Sequence, residues 1–147
     1  MEPITIYLAG EIHSPWRNDL RDLMSDRGLP IRFVGPQEQH DRSDAVGEDI
    51  LGAQPSARFR DLAGASVNTL RTRVLLRRAD LAVAYFGEKY RQWNTAADAG
   101  AAVAAGIPLL LVRSPDLIHA LKELDAMATV TVETLAQAGE AIAYVFE

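Results

Sequence analysis

The sequence contains no cysteine, and this absence excludes two kinds of site. Without thiols the chain has neither a disulfide framework nor a thiolate zinc site. Long apolar runs are also missing, since no stretch approaches the roughly 20 residues that a membrane helix needs. The first ten residues, MEPITIYLAG, carry neither the basic segment nor the long apolar segment of a targeting signal. We therefore expect no membrane association and a cytoplasmic location.

Three sequence motifs of common α/β enzymes are absent as well. The chain has no GxxxxGK loop followed by Ser or Thr, no GxGxxG after its first predicted strand and no GxSxG nucleophile elbow. These absences argue against a phosphate-cradling loop and against serine-hydrolase chemistry.

The sequence gives little indication of a metal site. Its three histidines, His13, His40 and His119, lie far apart, and none has the i, i+4 spacing that places two ligands on one helix face. One polar stretch combines a histidine with several acids, namely His40, Asp41, Asp44 and Asp49. Such a cluster in a polar segment is usually solvated surface, so we expect no metal and no cofactor.

The charge balance is acidic, with 15 lysines and arginines against 20 aspartates and glutamates and a formal net charge of −5. Such a chain produces no general field that attracts a polyanion, although arginines at positions 71, 73, 77 and 78 form a local basic patch. We therefore expect a small-molecule partner rather than nucleic acid. With 147 residues, 48% of them hydrophobic, the chain can bury one core and predicts a single domain over residues 1–147.

Strand and helix signals alternate along the chain. The predicted strands cover residues 5–8, 31–34, 80–86, 109–112 and 128–132. The predicted helices cover residues 16–27, 67–78, 96–105, 116–125 and 134–146, the first with Ser14 as N-cap, Pro15 at its first position and Gly28 beyond its end. Such alternation with apolar strands predicts a parallel sheet covered by helices on both faces.

A long polar segment runs from Gly35 to about Gly64. Connections of this length are uncommon inside a compact domain and often have a function. Apolar residues are spaced through the segment, so we expect an ordered lid or interface flap with a short helix near residues 44–51.

Asp98 lies near the start of the alanine-rich helix that follows the third predicted strand. In open α/β sheets, ligands bind beyond the carboxyl ends of the strands, so the polar and aromatic loop at this point is a candidate site. Its candidate residues are Glu88, Tyr90, Arg91, Trp93, Asn94 and Asp98. A structural alternative also exists, because Thr95 as N-cap and Asp98 at the third helical position would form a capping box without any catalytic role.

Several segments together resemble a known family. They are YLAGEIHSPWR at 7–17, ILG at 50–52, RTR at 71–73, FGEKYRQWN at 86–94 and DAG at 98–100. These segments resemble the YtoQ family of small bacterial proteins over nearly the whole chain. That family is similar to the nucleoside 2-deoxyribosyltransferases and the deoxynucleoside 5′-monophosphate glycosidases. The resemblance implies a three-layer α/β/α flavodoxin-like fold with a five-stranded parallel sheet of order 2-1-3-4-5.

The resemblance also implies a catalytic centre. Asp98 matches the glutamate that attacks the anomeric carbon of the sugar, and Tyr7 matches a tyrosine that would hold this carboxylate. A helix N-terminus would keep such an acid ionised at neutral pH. Glu11 or Asp80 would serve as the acid for the leaving base. The chain departs from the transferase pattern at Thr72, where those enzymes carry an aspartate.

The same resemblance implies a binding pocket for substrate. Trp93, Tyr90 or Trp16 would stack on the nucleobase, and Arg17, preceded by Gly10, would lie in a phosphate-contacting loop. Asn94 replaces the first glycine of the segment that carries the nucleophile.

The predicted function is therefore cleavage or transfer of the N-glycosidic bond of a nucleoside or nucleotide by a homodimer or higher homo-oligomer. A non-catalytic nucleotide or nucleoside sensor is the alternative, with Arg71 and Arg73 taking a phosphate in the same pocket.

Overall fold

Five short runs of mainly apolar residues form the strands of one parallel sheet. The computed structural model describes residues 2–87 and 92–147. Its strands are β1 (Ile4–Ala9), β2 (Ile31–Val34), β3 (Leu81–Phe86), β4 (Leu109–Arg113) and β5 (Val130–Val132). Their order is β2-β1-β3-β4-β5, and every neighbouring pair is parallel. Order and pairing both confirm the predicted fold class.

Helices occupy the connections between the strands. They are α1 (Trp16–Ser25), α2 (His40–Leu51), α3 (Ala57–Arg77), α4 (Trp93–Ala104), α5 (Lys122–Met127) and α6 (Leu135–Tyr144). A short 3-10 turn covers Pro115–Leu117. The single helix predicted over residues 116–125 is therefore wrong, because the chain divides there into this turn and α5.

Side chains alternate between the two faces of the sheet and build two hydrophobic cores. From β1, Ile6 and Leu8 enter the core that α1 and α6 cover, whereas Tyr7 and Ala9 enter the core under α3, α4 and α5. The first core takes Trp16, Leu20, Met24, Ala138 and Ile142 from its helices, and the second takes Leu76, Ala99, Ala102 and Leu124. The fold therefore has three layers, as expected.

The polar segment from Gly35 to Gly64 is ordered and largely helical. It supplies α2 and the first part of α3, which together form a helical hairpin. The two helices lie in close contact at Gly47, where an added Cβ would lie 2.3 Å from the amide nitrogen of Gly64. Only glycine permits such an approach. The short helix expected near residues 44–51 lies inside α2 and is longer than predicted.

Helix α3 begins ten residues before the predicted start at residue 67. Its N-cap is Ser56, whose side chain accepts a hydrogen bond from the Phe59 amide. The early part of the helix escaped prediction because its apolar side chains do not form one buried stripe, since Phe59 and Leu62 are exposed and Ala63 is buried.

The predicted start of α1 at Trp16 is confirmed, but its predicted N-cap is wrong, and so is the predicted start of α4. Helix α1 begins at Trp16 after Pro15 and has no side-chain cap, because the Ser14 hydroxyl bonds to Glu11 instead. Helix α4 begins at Trp93, so Thr95 is a buried helical residue and Asp98 is the sixth residue of the helix. The capping-box interpretation of Asp98 is therefore wrong.

The sheet order places a crevice between β1 and β3. The chain leaves β1 toward β2 on one side and returns to β3 on the other, which makes this position the topological switch point of the sheet. The loop after β1 and the segment after β3 both emerge there. Over residues 2–87 and 92–147, no helix is long and apolar enough to cross a membrane.

Candidate active site

A pocket of about 630 Å³ lies at the carboxyl ends of β1 and β3. This volume falls within the range of small-molecule sites. The loop after β1, the α2–α3 hairpin and the start of α4 form its walls. Polar and aromatic wall residues include Glu11, His13, His40, Asp44, Asp61, Asn68, Thr72, Gln92, Trp93, Asn94 and Asp98.

Asp98 and Tyr7 meet at this pocket. Tyr7 is fully buried on β1, its hydroxyl lies 3.4 Å from Thr72 Oγ1 on α3, and it also hydrogen-bonds to Asp98 on α4. Burial and the nearby charge of Asp98 raise the pKa of Tyr7 to about 12. Tyr7 therefore stays protonated at neutral pH and can donate its proton to the Asp98 carboxylate.

Burial also controls the ionisation of Asp98. Removal from water raises its pKa to about 6, although the hydrogen bond from Tyr7 and the charge of Arg17 act in the opposite direction. The expectation that a helix N-terminus holds this acid ionised is corrected, since Asp98 lies in the second turn of α4. With a pKa of about 6, about nine-tenths of the carboxyl groups are ionised at pH 7.

Arg17 is part of the framework of the pocket rather than a ligand. Its side chain is 2% exposed, and its guanidinium donates to three backbone carbonyls, one in β1 and two in the loop after β1. The distances are 3.0 Å from Nη2 to Leu8 O, 2.9 Å from Nη2 to Gly10 O and 2.7 Å from Nη1 to Glu11 O. The predicted phosphate-contacting role is therefore corrected, because these carbonyls take the hydrogen bonds that a phosphate would need.

Trp16 also lies beneath the loop and not in the pocket. Its Nε1 donates to Glu11 O at 2.9 Å, and its ring stacks on Tyr85 with a centroid distance of 4.8 Å. At Gly10 an added Cβ would come within 2.4 Å of Trp16 Cζ2. Trp16 is thus a core residue, and its predicted stacking on a nucleobase is wrong. Gly10 does line the pocket, and its contact with substrate stays a prediction.

Glu11 lines the pocket, but its carboxylate orders the loop that contains it. It accepts hydrogen bonds from the His13 amide at 2.5 Å and the Ser14 amide at 2.9 Å, and a third from the Ser14 hydroxyl. Although burial raises the pKa of Glu11, these bonds outweigh it and lower the pKa below its ordinary value. An acid stabilised in its ionised form is a poor proton donor.

Asp80 lies at the opposite end of the sheet. Its Oδ2 accepts a hydrogen bond from the Thr5 amide at 2.8 Å, at the amino ends of β1 and β3. Asp80 is therefore excluded as the acid for a leaving base.

The first turn of α4 brings two predicted residues to the pocket. Trp93 and Asn94 both line it, and Trp93 is 72% exposed. Gln92, just before them, donates to Gly87 O at 2.8 Å. Tyr90, together with Glu88 and Arg91, lies outside the described residues.

The α2–α3 hairpin contributes residues that sequence analysis missed as site residues. His40 Nε2 lies 3.2 Å from Asp44 Oδ2, and the His40 ring centroid lies 5.2 Å from that of His13. Asp61, Asn68 and Thr72 line the pocket from α3. The i, i+4 spacing of His40 and Asp44 was a usable signal once α2 was recognised as a helix. No group of three potential metal ligands occurs in residues 2–87 and 92–147.

The fold and the pocket define a class of protein. This is a three-layer α/β/α protein whose pocket at the switch point contains a partly buried carboxylate held by a buried tyrosine. Solved structures with the same fold include a 2-deoxyribosyltransferase of Bacillus psychrosaccharolyticus, with a TM-score of 0.65, 16% identity and coverage of 92% of this chain and 90% of that one. A CMP N-glycosidase, BcmB, of Clostridium botulinum gives a TM-score of 0.56 at 14% identity, covering 95% and 98% of the two chains.

The family follows from the sequence comparison. The model of the family described as nucleoside 2-deoxyribosyltransferase YtoQ matches residues 7–146, and the chain belongs to this family. It is 52% identical to the uncharacterized protein YtoQ of Bacillus subtilis strain 168 over 142 residues, which are 97% of this chain and 96% of that protein. The resemblance found in the sequence is thus confirmed.

Proposed function

We propose that this protein cleaves or transfers the N-glycosidic bond of a nucleoside or nucleotide, with Asp98 as the nucleophile. The observation that carries the proposal is the pairing of a half-buried carboxylate with the buried Tyr7 hydroxyl on the wall of a ligand-sized pocket. Two observations support the substrate class. The chain belongs to the family described as nucleoside 2-deoxyribosyltransferase YtoQ, and it shares its fold with a 2-deoxyribosyltransferase and a CMP N-glycosidase.

The reaction proceeds through two displacements at the anomeric carbon of the sugar. An Asp98 carboxylate oxygen forms a bond to C1′ while the bond from C1′ to the base nitrogen breaks, which leaves a glycosyl ester on the enzyme. Water or a second base then attacks C1′ from the face that the first base left. The ester bond breaks, and the Asp98 carboxylate is restored with overall retention of configuration.

The environment of Asp98 suits this role. A carboxylate with a pKa of about 6 is a stronger base than a solvated aspartate and remains mostly ionised at neutral pH. The hydrogen bond from Tyr7 fixes the orientation of the carboxylate, and Thr72 in turn contacts the Tyr7 hydroxyl. Tyr7 is therefore a positioning residue in this mechanism.

Substrate contacts come from the exposed part of the pocket wall. Trp93 offers an aromatic face for a nucleobase, and Asn94 offers an amide that can donate and accept hydrogen bonds. Tyr90 stays a predicted contact. We assign Glu11 and Arg17 to ordering the loop after β1, since their polar atoms bond within that loop.

A turnover assay tests the proposal. The pure protein is mixed with deoxynucleosides, ribonucleosides and their monophosphates, with and without a second free base, and released or exchanged base is measured by chromatography. We expect turnover by the wild type and its loss in Asp98→Asn, which removes the nucleophilic charge at nearly constant volume. Undiminished turnover by Asp98→Asn would overturn the assignment. Thermal stabilisation by a ligand that stays intact would support the non-catalytic sensor instead.

We also propose that the protein is a homodimer or a higher homo-oligomer. Helix α3 exposes an apolar face that consists of Phe59, Leu62, Leu70 and Val74, which a second copy could cover. The alanines of α4 were expected to let a second copy approach closely. Ala102 is instead buried against its own sheet, so only part of the alanine set, including Ala101 and Ala104, is exposed to a second copy. Light scattering at micromolar concentration tests this, and a mass near the 16.1 kDa of one chain would contradict it.

A further inference from the structure

A histidine and an aspartate on α2 form a pair inside the candidate active site. His40 and Asp44 lie one helical turn apart, with 3.2 Å between Nε2 and Oδ2. Both residues line the pocket that Asp98 lines. The His40 ring is also 5.2 Å from the ring of His13, which belongs to the loop after β1. Two separate segments of the chain thus bring imidazole groups together on the pocket wall.

The contact with Asp44 distinguishes the two ring nitrogens of His40. A carboxylate beside one ring nitrogen holds the proton on that nitrogen, as in other carboxylate–histidine pairs. Here Asp44 Oδ2 lies 3.2 Å from Nε2, which leaves Nδ1 as the ring nitrogen that we assign to proton exchange with a ligand. Among residues 2–87 and 92–147, the other ionisable groups that line the pocket are Glu11 and His13 from the loop, Asp61 from α3 and Asp98 from α4.

The proposed reaction needs a proton donor, and none of the described residues considered above supplies it. When the glycosidic bond breaks, its electron pair stays on the base, and most bases leave slowly as anions. Asp98 is the nucleophile, the Glu11 carboxylate is bound within its own loop, and Asp80 lies at the far end of the sheet. Histidine is the residue type whose ordinary pKa suits proton transfer at neutral pH.

We propose that His40, oriented by Asp44, is the general acid that protonates the leaving base; this rests on the function proposed above. As Asp98 bonds to C1′, the bond from C1′ to the base breaks, and the Nδ1 proton of the His40 imidazolium passes to the base nitrogen. The imidazole that remains is neutral. In the second displacement it takes a proton from the attacking water or base, which restores the imidazolium as Asp98 is released.

A leaving group that needs no proton tests this assignment. A purine deoxynucleoside that the wild type turns over is compared with its N7-methylated counterpart, whose base is already cationic and leaves as a neutral molecule. For His40→Gln we expect kcat/KM to fall by about 100-fold with the ordinary substrate. With the methylated substrate we expect a change within about threefold, the scale of a neutral surface substitution.

Asp44→Asn supplies the second variant and keeps the imidazole in place. We expect a loss of about tenfold with the ordinary substrate, again absent with the methylated one, since orienting partners of a histidine contribute on this scale. If His40→Gln fails to fold by circular dichroism, Asp44→Asn carries the same comparison. Matched controls are Asp41→Asn on the same helix and His119→Gln, which do not line the pocket and should behave like the wild type.

Two results would overturn the inference. One is an equal loss with both substrates in the His40 and Asp44 variants, which would mean a binding or structural role. The other is no loss with either substrate. The function proposed for Asp98 fails separately, by turnover in Asp98→Asn, or by the absence of wild-type turnover with every substrate, which would also remove the basis for His40.

Discussion

The two walls of the pocket differ in what their polar side chains do. At the loop after β1, the Trp16 and Arg17 side chains of α1 and the Glu11 carboxylate bond to the backbone of β1 and of the loop. Trp16 and Arg17 are almost fully buried. In the α2–α3 hairpin, His40 and Asp44 are largely exposed, and both line the pocket. The polar groups of the first wall form a frame of internal hydrogen bonds, whereas those of the second wall are exposed to a ligand in the pocket.

This difference shows why residue type alone misleads at such a site. An arginine, a tryptophan and a glutamate near the end of a parallel strand match the expected contacts of a nucleotide. In this fold the same side chains form hydrogen bonds with backbone carbonyls and amides that a tight loop would otherwise leave without partners.

The largest expected effect is a loss of stability when the buried hydrogen bonds of Arg17 are removed. Arg17→Met keeps the apolar stem but leaves the carbonyls of Leu8, Gly10 and Glu11 without their buried donor. We expect a loss of about 3–5 kcal/mol in the free energy of unfolding, as for other broken buried networks. Urea unfolding measures it. The matched control is Arg21→Met on the same helix. Among the described residues Arg21 bonds to exposed Asn18 and Glu38, and it should contribute less than about 1 kcal/mol. Equal losses in the two variants would contradict the assignment of Arg17 to the frame.

A smaller effect is expected from loosening the hairpin. Gly47→Ala places a methyl group 2.3 Å from the Gly64 amide nitrogen, so α2 must move away from α3. Overpacking of this kind costs about 1–3 kcal/mol. Gly64→Ala is the control, because its added Cβ meets nothing nearer than Asp44 O at 3.6 Å. There we expect no loss, or a gain of up to about 1 kcal/mol from helix propensity. Thermal unfolding separates the two variants, and similar melting temperatures would argue against a close helix crossing.

The smallest expected effect is a gain in stability when Asp98 is replaced, whereas the substitutions of Arg17 and Gly47 reduce stability. The folded-state pKa of Asp98 is about 6, against an ordinary value of 3.8, so the folded protein binds more protons than the unfolded chain between these pH values. Wild-type stability therefore falls as pH rises through this window. Asp98→Asn removes that penalty, and we expect it to be more stable on the order of 1 kcal/mol at pH 7, allowing for solvent screening. The advantage should vanish near pH 4. Denaturant curves from pH 4 to 7 measure it, and a difference that does not change with pH would contradict the buried environment of Asp98.

Much of the fold could be predicted from sequence because it depends on short-range signals. Apolar runs located the five strands, and Gly106, with a φ of 75°, ended α4 as expected. Tyr7 of β1 and Asp98 of α4 lie together in the structure, and their catalytic roles stay a prediction. The single domain over residues 1–147 stays a prediction.

The errors arose where tertiary contacts decide the outcome. Whether Trp16 faces a ligand or the core depends on its stacking with Tyr85, which is 69 positions away and invisible to local pattern. His40 and Asp44 entered the site only because Gly47 lets α2 lie directly against α3. The pocket wall thus depends on a glycine contact that no periodicity reveals.

The continuity of α3 has one further consequence. Its 21 residues form an uninterrupted rod about 30 Å long, with Asp61 near one end, Thr72 along its length and Leu76 anchored in the core near the other. Because Leu76 holds one end of this helix in the core, a tilt of α3 at the Asp61 end would change the distance between Thr72 and the Tyr7 hydroxyl. The geometry around Asp98 therefore depends on how closely the α2–α3 hairpin packs against the rest of the fold.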